Sequence, residues 1–397
     1  MKKIFYAALL ITSFVFAQSP IPAGAKLEKV FSSGKQLEGP VWKDGVGLLF
    51  SDIIPAKIYL LPSDGSAVKT YMEKSDSSNG LTLDNKGNLI LTQMGKRRIS
   101  RQESGGGITV LVDKYLGKRF NSPNDLVVKS DGSLFFTDPD FNIPVGGTKE
   151  ILINGVYVRG IYRLSPKGNL QLLDATFDKP NGICFSPDEK KLYVNESAKG
   201  EIYVWDVVND STIENKKLFG KVTPYADGMK VDPSGNLYCT GSGGISIFSP
   251  AGLLLDKIST TSITSSENPS NCTWGDADRK TLYITMKTML LKIKLTATGI
   301  ESHGSNLPQN YNLLQNYPNP FNPTTVISYH LASPANVSLK VYDSLGREVD
   351  TLINKFQQPG FYDAQFSIQN SQLPSGIYFY TLRAGSFSQT RKMVVMK

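Results

Sequence analysis

Short apolar runs recur along most of the chain, separated by turn-forming Asp-Gly, Asn-Gly and Pro-Ser-Gly steps. The stretch RFNSPNDLVVKSDGSLFFTDPDF, residues 119–141, shows the unit: a polar Ser-Pro-Asn-Asp step, a strand-like LVV, a turn, and a second strand-like LFFTD. Such a run predicts an antiparallel hairpin. The phrase returns as EGPVWKDGVGLLFSD, SNGLTLDNKGNLILTQ, KPNGICFSPDEKKLYVNES, ADGMKVDPSGNLYCTG and SNCTWGDADRKTLYITM. The polar residues that lead the six copies are Glu38, Asn79, Asn124, Asn181, Asp227 and Asn271, spaced by 41, 45, 57, 46 and 44 residues. This matches the period of roughly 40 to 50 of a four-stranded propeller blade. The long interval contains FNIPVGGTKEILINGVYVRG, residues 141–160, which reads as an inserted loop.

Third strands follow in KIYLLPSDG, IYRLSPKG and EIYVWDVVND, and fourth strands in ITVLVDKY and LQLLDATF. The pattern therefore predicts an all-β fold, a six-bladed β-propeller over residues 27–296. The segment KLEKVFSSG has no blade of its own, and the last copy ends after its third strand. Pairing the two closes the ring and removes an exposed sheet edge. Composition agrees: 40% of the 397 residues are hydrophobic, with Gly 35, Tyr 18 and Phe 19, which favours strands and tight turns over helix bundles.

Closure has a chemical consequence. The first strand of every blade lines the central channel in the same direction, so the residues that lead those strands meet at one mouth. Any one Asn or Asp before a strand is ordinary turn chemistry. As a set, Glu38, Asn124, Asn181 and Asp227 supply two carboxylates and two amide oxygens, hard donors suited to Ca²⁺. Zinc is a poor fit, because the two histidines, His303 and His330, both lie beyond the propeller and the cysteines have no ligand spacing.

The net charge of +8 does not imply a nucleic-acid partner, because the basic residues are scattered and form only short clusters such as Lys96-Arg97-Arg98. Cys184, Cys239 and Cys272 each adjoin a strand-like run and read as small buried hydrophobes. At the start, two lysines, an apolar run and Val15-Phe16-Ala17 give an export signal over residues 1–17. No segment has the roughly 20 apolar residues of a transmembrane helix.

EGPVW, SNGLTLD, RFNSPNDLVVKSDGSLFFTDP, PNGICFSPDEKKLYVNES and ADGMKVDPSGNLY, in this order, resemble the gluconolactonase family, which includes regucalcin and lies close to the phosphotriesterase and paraoxonase propellers. The resemblance covers nearly all of residues 30–295. It implies a divalent cation, commonly calcium, at the channel mouth, with ligand positions falling on Glu38, Asn124, Asn181 and Asp227. The activity it implies is lactone hydrolysis, with the ion polarising the carbonyl for attack by water. Asp227 is the candidate general base, and Arg119, Asn79 and Asn271 are candidate substrate contacts. One departure concerns the second blade, where the family often has histidine and this chain has Met94. The lack of histidine within the propeller excludes a Ser-His-Asp hydrolase. Two rivals remain: a non-catalytic propeller that binds carbohydrate or protein around a structural calcium, and phosphotriesterase-like activity.

Beyond residue 296 the composition changes. Residues 297–316 read as a polar linker. Residues 317–397 predict a small immunoglobulin-like β-sandwich with strands in VSLKVYDSLG, YDAQFSI and GIYFYTLRAG. YPNPFNPTT, DSLGREV, LPSGIYFYTL and KMVVMK resemble the C-terminal sorting domain of type IX secretion. That resemblance implies export machinery as a partner and a secreted or cell-surface destination beyond the outer membrane of a Gram-negative bacterium.

Overall fold

The computed structural model describes residues 19–22, 24–141, 148–209, 212–222, 224–295, 311–316, 319–357, 360–368 and 373–396. They fall into two compact units, one within residues 1–301 and one within 302–397. The export signal over 1–17 and residues 297–310 of the linker lie outside the described residues.

In the first unit, six four-stranded antiparallel sheets follow one another along the chain. The first runs Leu37–Lys43, Gly47–Asp52, Lys57–Pro62 and Lys69–Met72. The next four repeat this order, starting from Ser78–Leu83, Leu126–Val128, Pro180–Phe185 and Ala226–Val231. The sixth joins Pro269–Gly275, Thr281–Met286 and Leu290–Lys294 to Glu28–Phe31, with Glu28 opposite Lys292. The orphan strand before Glu38 thus completes the last sheet.

Turn chemistry sets the hairpins. Between Leu126–Val128 and Leu134–Asp138, Asp131 Oδ1 accepts the Ser133 N–H at 2.8 Å while Gly132 takes φ +85°. A side chain that mimics a backbone turn, followed by a residue free to adopt positive φ, reverses the chain in a few residues. The long third interval contains a second hairpin, Leu152–Ile153 against Val156–Tyr157. It is tied down by charge: Glu150 binds Arg97 and Arg119, and Asp140 binds Lys149, Arg159 and Lys179.

Each neighbouring pair of sheets encloses its own apolar cluster. Leu49, Ile58 and Leu91 lie between the first and second, and Ile90, Phe120 and Phe136 between the second and third. Phe135, Val194 and Trp205 fill the next seam, Met229 and Cys239 the one after, and Ile247, Cys272 and Ile284 the fifth. Leu48, Phe50, Tyr283 and Leu290 then bring the sixth sheet back against the first. Trp42 stacks on Tyr283 across this last seam, with ring centroids 5.9 Å apart. Each large side chain so buried contributes about 1.5–3 kcal/mol. The three cysteines are free and buried within these clusters, and burial pushes the Cys272 thiol up to about 12, so they act as apolar filling.

The first strands touch in cyclic order, the sixth against the first. Near the axis a recurring polar latch joins one sheet to the next. Ser51 Oγ donates to the Asn79 carbonyl at 2.8 Å, Thr92 Oγ1 to that of Asn124 at 2.8 Å, and Thr137 Oγ1 to that of Asn181 at 2.8 Å. Asn195 Nδ2 donates to the Asp227 carbonyl, Thr240 Oγ1 to that of Ser270 at 2.9 Å, and Ser270 Oγ to that of Leu37 at 2.7 Å. Every latch is supplied by a polar side chain near the axis and caps a carbonyl that the neighbouring sheet leaves open at its leading edge.

The second unit has a three-stranded sheet, Asn312–Leu313, Thr324–Leu331 and Gly360–Ser367, and a four-stranded one in the order Glu348–Gln357, Ala335–Tyr342, Gly376–Ala384, Phe387–Val395. Both contribute to one core that includes Leu313, Ile327, Tyr329, Leu339, Phe366, Tyr380 and Met393. Burial alternates along Ala335–Tyr342, as expected for a strand with one face on that core. No helix among the described residues is long and apolar enough to cross a membrane.

Two outcomes follow for stability. Thr92→Val keeps the shape but removes the donor, leaving the buried Asn124 carbonyl with one partner fewer, so urea unfolding should show a loss of about 1–3 kcal/mol. Asp138, at the end of its strand, accepts the Asn121 N–H at 2.8 Å, and burial raises its carboxyl to about 7 from an ordinary 3.8. Stability from a raised group is fully present below its unfolded value and is lost as pH rises through its folded value. Thermal melts should therefore show the parent losing stability relative to Asp138→Asn as pH climbs from about 4 through 7. Parallel curves would show that Asp138 does not titrate in that window.

Candidate metal centre

Most first strands begin with the same local device. The antiparallel register shifts between Glu38 and Val41, Ser78 and Leu81, Pro180 and Ile183, and Ala226 and Met229. A bulge of this kind bends the strand and re-aims its leading side chain. Glycine follows the leading polar residue in Glu38-Gly39, Asn79-Gly80, Asn181-Gly182 and Asp227-Gly228. A Cβ on Gly39 would strike the Asn79 carbonyl, one on Gly182 the Asp227 carbonyl, and one on Gly228 the Asn271 side chain. The missing side chain is what allows adjacent sheets to approach so closely at the axis.

The leading residues are all buried: Glu38, Asn79, Asn124, Asn181, Asp227 and Asn271 are each at most 6% exposed. Glu38 Oε2 accepts the Gly39 N–H at 3.0 Å. Burial first, then the Asp227 carboxylate, push the Glu38 carboxyl well above its usual range, while the Gly39 N–H and the Asn271 amide oppose this. Asp227 is raised as well, again by burial, against hydrogen bonds from the Tyr225 hydroxyl and the Asn181 amide. Glu38 and Asp227 come from the first and fifth sheets yet feel each other's charge at full burial. Two carboxylates in this position favour protonation or a cation between them.

The other expected residues occupy distinct positions. Asn271 Oδ1 accepts the Cys272 N–H at 2.9 Å, and Asn271 Nδ2 reaches Asp125 Oδ2 at 3.4 Å. That contact spans the ring, from the sixth sheet to the third. Asn79 Nδ2 meets Met94 Sδ at 3.5 Å, and its Oδ1 is buried with no hydrogen-bond partner. Arg119 is not drawn into this set: its side chain is 55% exposed, and its Nε donates to Glu150 Oε1 at 2.7 Å.

Three further residues belong to the centre and were not singled out from the sequence. Tyr225 holds Asp227 Oδ2 through its hydroxyl. Asp125 is 2% exposed and adds its negative charge to Glu38 and Asp227. Lys230 is half-buried on the first strand of the fifth sheet, its Nζ donates to the Met229 carbonyl at 3.1 Å, and the Asp125 charge bears on it. The available signal was local: Asp125 follows Asn124 directly, and a lysine is out of place on an inner strand unless carboxylates face it.

Among the described residues no group of three or more His, Cys, Asp or Glu side chains meets the geometry of a metal cage. The centre would instead depend on two carboxylates and on amide oxygens. Its donors are all oxygen, its two carboxylates repel one another, and the Asn79 oxygen is unpaired. This chemistry fits a hard divalent cation and no softer ion.

Residues 37–288 match the family described as the SMP-30/gluconolactonase/LRE-like region, and residues 315–396 match the secretion system C-terminal sorting domain. A gluconolactonase of Zymomonas mobilis is 34% identical over 311 residues, spanning 69% of this chain and 82% of that protein. The diisopropyl-fluorophosphatase of Loligo vulgaris is 29% identical over 147 residues, 34% of this chain and 46% of that enzyme. Among solved structures, a gluconolactonase of Xanthomonas campestris superposes with a TM-score of 0.63 at 31% identity, covering 70% of this chain and 92% of its own. Regucalcin of Agrobacterium tumefaciens, a calcium-binding protein, superposes at 0.56 over 68% of this chain and 94% of its own, and at 14% identity this likeness is one of fold alone. The chain belongs to the SMP-30/gluconolactonase/LRE-like family and ends in a secretion system C-terminal sorting domain.

Proposed function

We propose that this chain is a calcium-dependent lactone hydrolase, carried out of the cell by its C-terminal domain. The six sheets are read as the blades of a six-bladed propeller, and the second unit as an immunoglobulin-like sandwich that serves as a type IX sorting signal. The observation that carries the reading is the convergence of Glu38 and Asp227, fully buried and mutually repelling, with Asn181 bound to one of them. Its support from relatives is the similarity to gluconolactonases over most of the chain.

Glu38, Asn124, Asn181 and Asp227 would hold the cation. Bound there, Ca²⁺ supplies a Lewis acid for the lactone carbonyl oxygen. The chain's own residues provide the rest. Tyr225 and Asn181 fix the Asp227 carboxylate in place by hydrogen bonds. Asp227 orients the attacking water and takes its proton. The water oxygen bonds to the carbonyl carbon, the ring C–O bond breaks, and the proton passes to the departing alkoxide, giving a hydroxy acid. Asn79, with its unpaired amide oxygen, is the candidate to receive a substrate hydroxyl. Arg119 serves this role only if Glu150 releases it. A second reading, hydrolysis at phosphorus, draws on the similarity to diisopropyl-fluorophosphatase, which covers less than half of that enzyme.

The test is hydrolysis of gluconolactone, aliphatic lactones and a fluorophosphate by the purified mature protein, with and without chelator. Lactone turnover should vanish on chelation and return with Ca²⁺. Asn181→Ala and Asp227→Ala should each lower kcat/KM by about 10²-fold or more while circular dichroism stays that of the parent. A protein that binds calcium tightly yet leaves every lactone intact would establish the ion as structural and the chain as a binding module.

A further inference from the structure

Two short hairpins leave the third sheet at the end where Asn124 leads its first strand. One, Lys114–Tyr115 against Lys118–Arg119, precedes Asn124 in the chain. The other, Leu152–Ile153 against Val156–Tyr157, follows the second strand, whose Thr137 carbonyl accepts the Asn124 N–H at 2.9 Å. They rise side by side: the Arg119 N–H donates to Glu150 Oε2 at 3.0 Å, and Tyr115, Ile151, Ile153 and Val158 share one apolar cluster. Both turn through two residues of positive φ, Leu116 at 51° and Gly117 at 76° in one, Asn154 at 51° and Gly155 at 78° in the other. Such a turn favours Asn-Gly, which the second hairpin has. Leucine in that conformation is strained, and Leu116 is also 74% exposed, so neither the backbone nor water favours it there. On the second tip Leu152, Val156 and Tyr157 are exposed as well. Exposed lysines, Lys114 and Lys118, flank Leu116, with Asp113 at the base of the hairpin, and Lys149 Nζ lies 5.5 Å from the centre of the Tyr157 ring. The nearby carboxylates of Asp140 and Glu150 are each held by arginine or lysine.

We propose that these two tips dock the first unit on the surface of an anionic lipid layer, with Leu116, Leu152, Val156 and Tyr157 entering the interfacial region and Lys114 and Lys118 meeting the headgroups. Apolar side chains on narrow turns can enter a soft layer, whereas a stable protein partner needs a broad complementary patch. Lysine suits the boundary because its stem lies along apolar surface while its ammonium stays among anions, and tyrosine is at home there too. A chain with a secretion system C-terminal sorting domain meets lipid surfaces on its way out. Docked in this way, the Asn124 end of the third sheet faces the layer. The inference goes beyond lactone hydrolysis and holds whether or not calcium is bound.

The experiment is co-sedimentation of the mature protein with vesicles of phosphatidylcholine and phosphatidylglycerol in equal parts, and with phosphatidylcholine alone. The parent should bind the mixed vesicles more tightly, and less so as salt rises. Leu116→Asn places the favoured residue in the turn, so its melting temperature should equal or exceed the parent's while its affinity for mixed vesicles falls about tenfold. Lys114→Gln and Lys118→Gln should each weaken binding to mixed vesicles about fivefold and leave phosphatidylcholine binding as it was. Leu253 is a turn leucine at the opposite end of the fifth sheet, 67% exposed, and Leu253→Asn should bind like the parent. Leu116→Trp should shift its emission to the blue on mixed vesicles. A parent that ignores vesicles, a Leu116→Asn variant that binds like the parent, or an equal loss in Leu253→Asn overturns the proposal. A dimer that Leu116→Asn abolishes, formed by a parent indifferent to lipid, assigns the tips to a second copy of the chain and overturns it too. Turnover of dissolved gluconolactone should be the same in every variant, so a failure of the lactonase reading is seen separately from a failure of docking.

Discussion

The first unit turns on one hydrogen bond per junction to the leading carbonyl of the next sheet, donated by a second-strand side chain at five junctions and by the first-strand Ser270 at the sixth. Apolar seams make the sheets adhere, but apolar contact is non-directional and would tolerate sliding along the seam. The latches from Ser51, Thr92, Thr137, Asn195, Thr240 and Ser270 are directional and leave buried carbonyls unsatisfied if the register slips. They act together with glycine. Gly39, Gly182 and Gly228 leave no atom where the neighbouring strand must pass, so the sheets can approach closely enough for the latches to close. Backbone position at the axis is fixed by this pairing, and the side chains that lead each strand inherit their placement from it.

That placement is electrostatically unfavourable in isolation. Glu38, Asp125 and Asp227 are buried within reach of one another, and burial raises the carboxyls of Glu38 and Asp227. A scaffold locked by latches and six apolar seams is rigid enough to hold the conflict, and a site held in conflict is one that a cation relieves. The same rigidity explains why the centre needs no histidine: oxygen donors on separate sheets are already fixed, and the amide groups of Asn124 and Asn181 bring no charge that would add to the repulsion.

Much of this was legible in the chain because it is periodic. The spacing of Glu38, Asn79, Asn124, Asn181, Asp227 and Asn271 marked the first strands, and the unpaired KLEKVFSSG pointed to the strand Glu28–Phe31 that completes the sixth sheet. The cysteines read correctly as buried filling because each interrupts an apolar run. What escaped was the chemistry set by neighbours in space. The glycines after the polar residues were visible, but the strand each one admits belongs to another sheet. Arg119 looked free in the sequence, since Glu150, its partner, sits in the inserted segment, 31 residues away. The Asn271–Asp125 contact was equally hidden, because it joins the sixth sheet to the third. A pairwise contact across the axis has no period, and so leaves no trace in a repeat.

The seam between Glu28–Phe31 and Leu290–Lys294 has a bearing on processing. Because that strap joins the two ends of the first unit, a protease that cuts after Leu295 severs none of its six sheets. Trimming of only a few residues past Leu27 from the other end would unbuckle it and expose the edge of Leu290–Lys294 to water. The six sheets are therefore asymmetric toward proteolysis: a cut after Leu295 leaves their strand pairing whole, and a cut within Glu28–Phe31 does not.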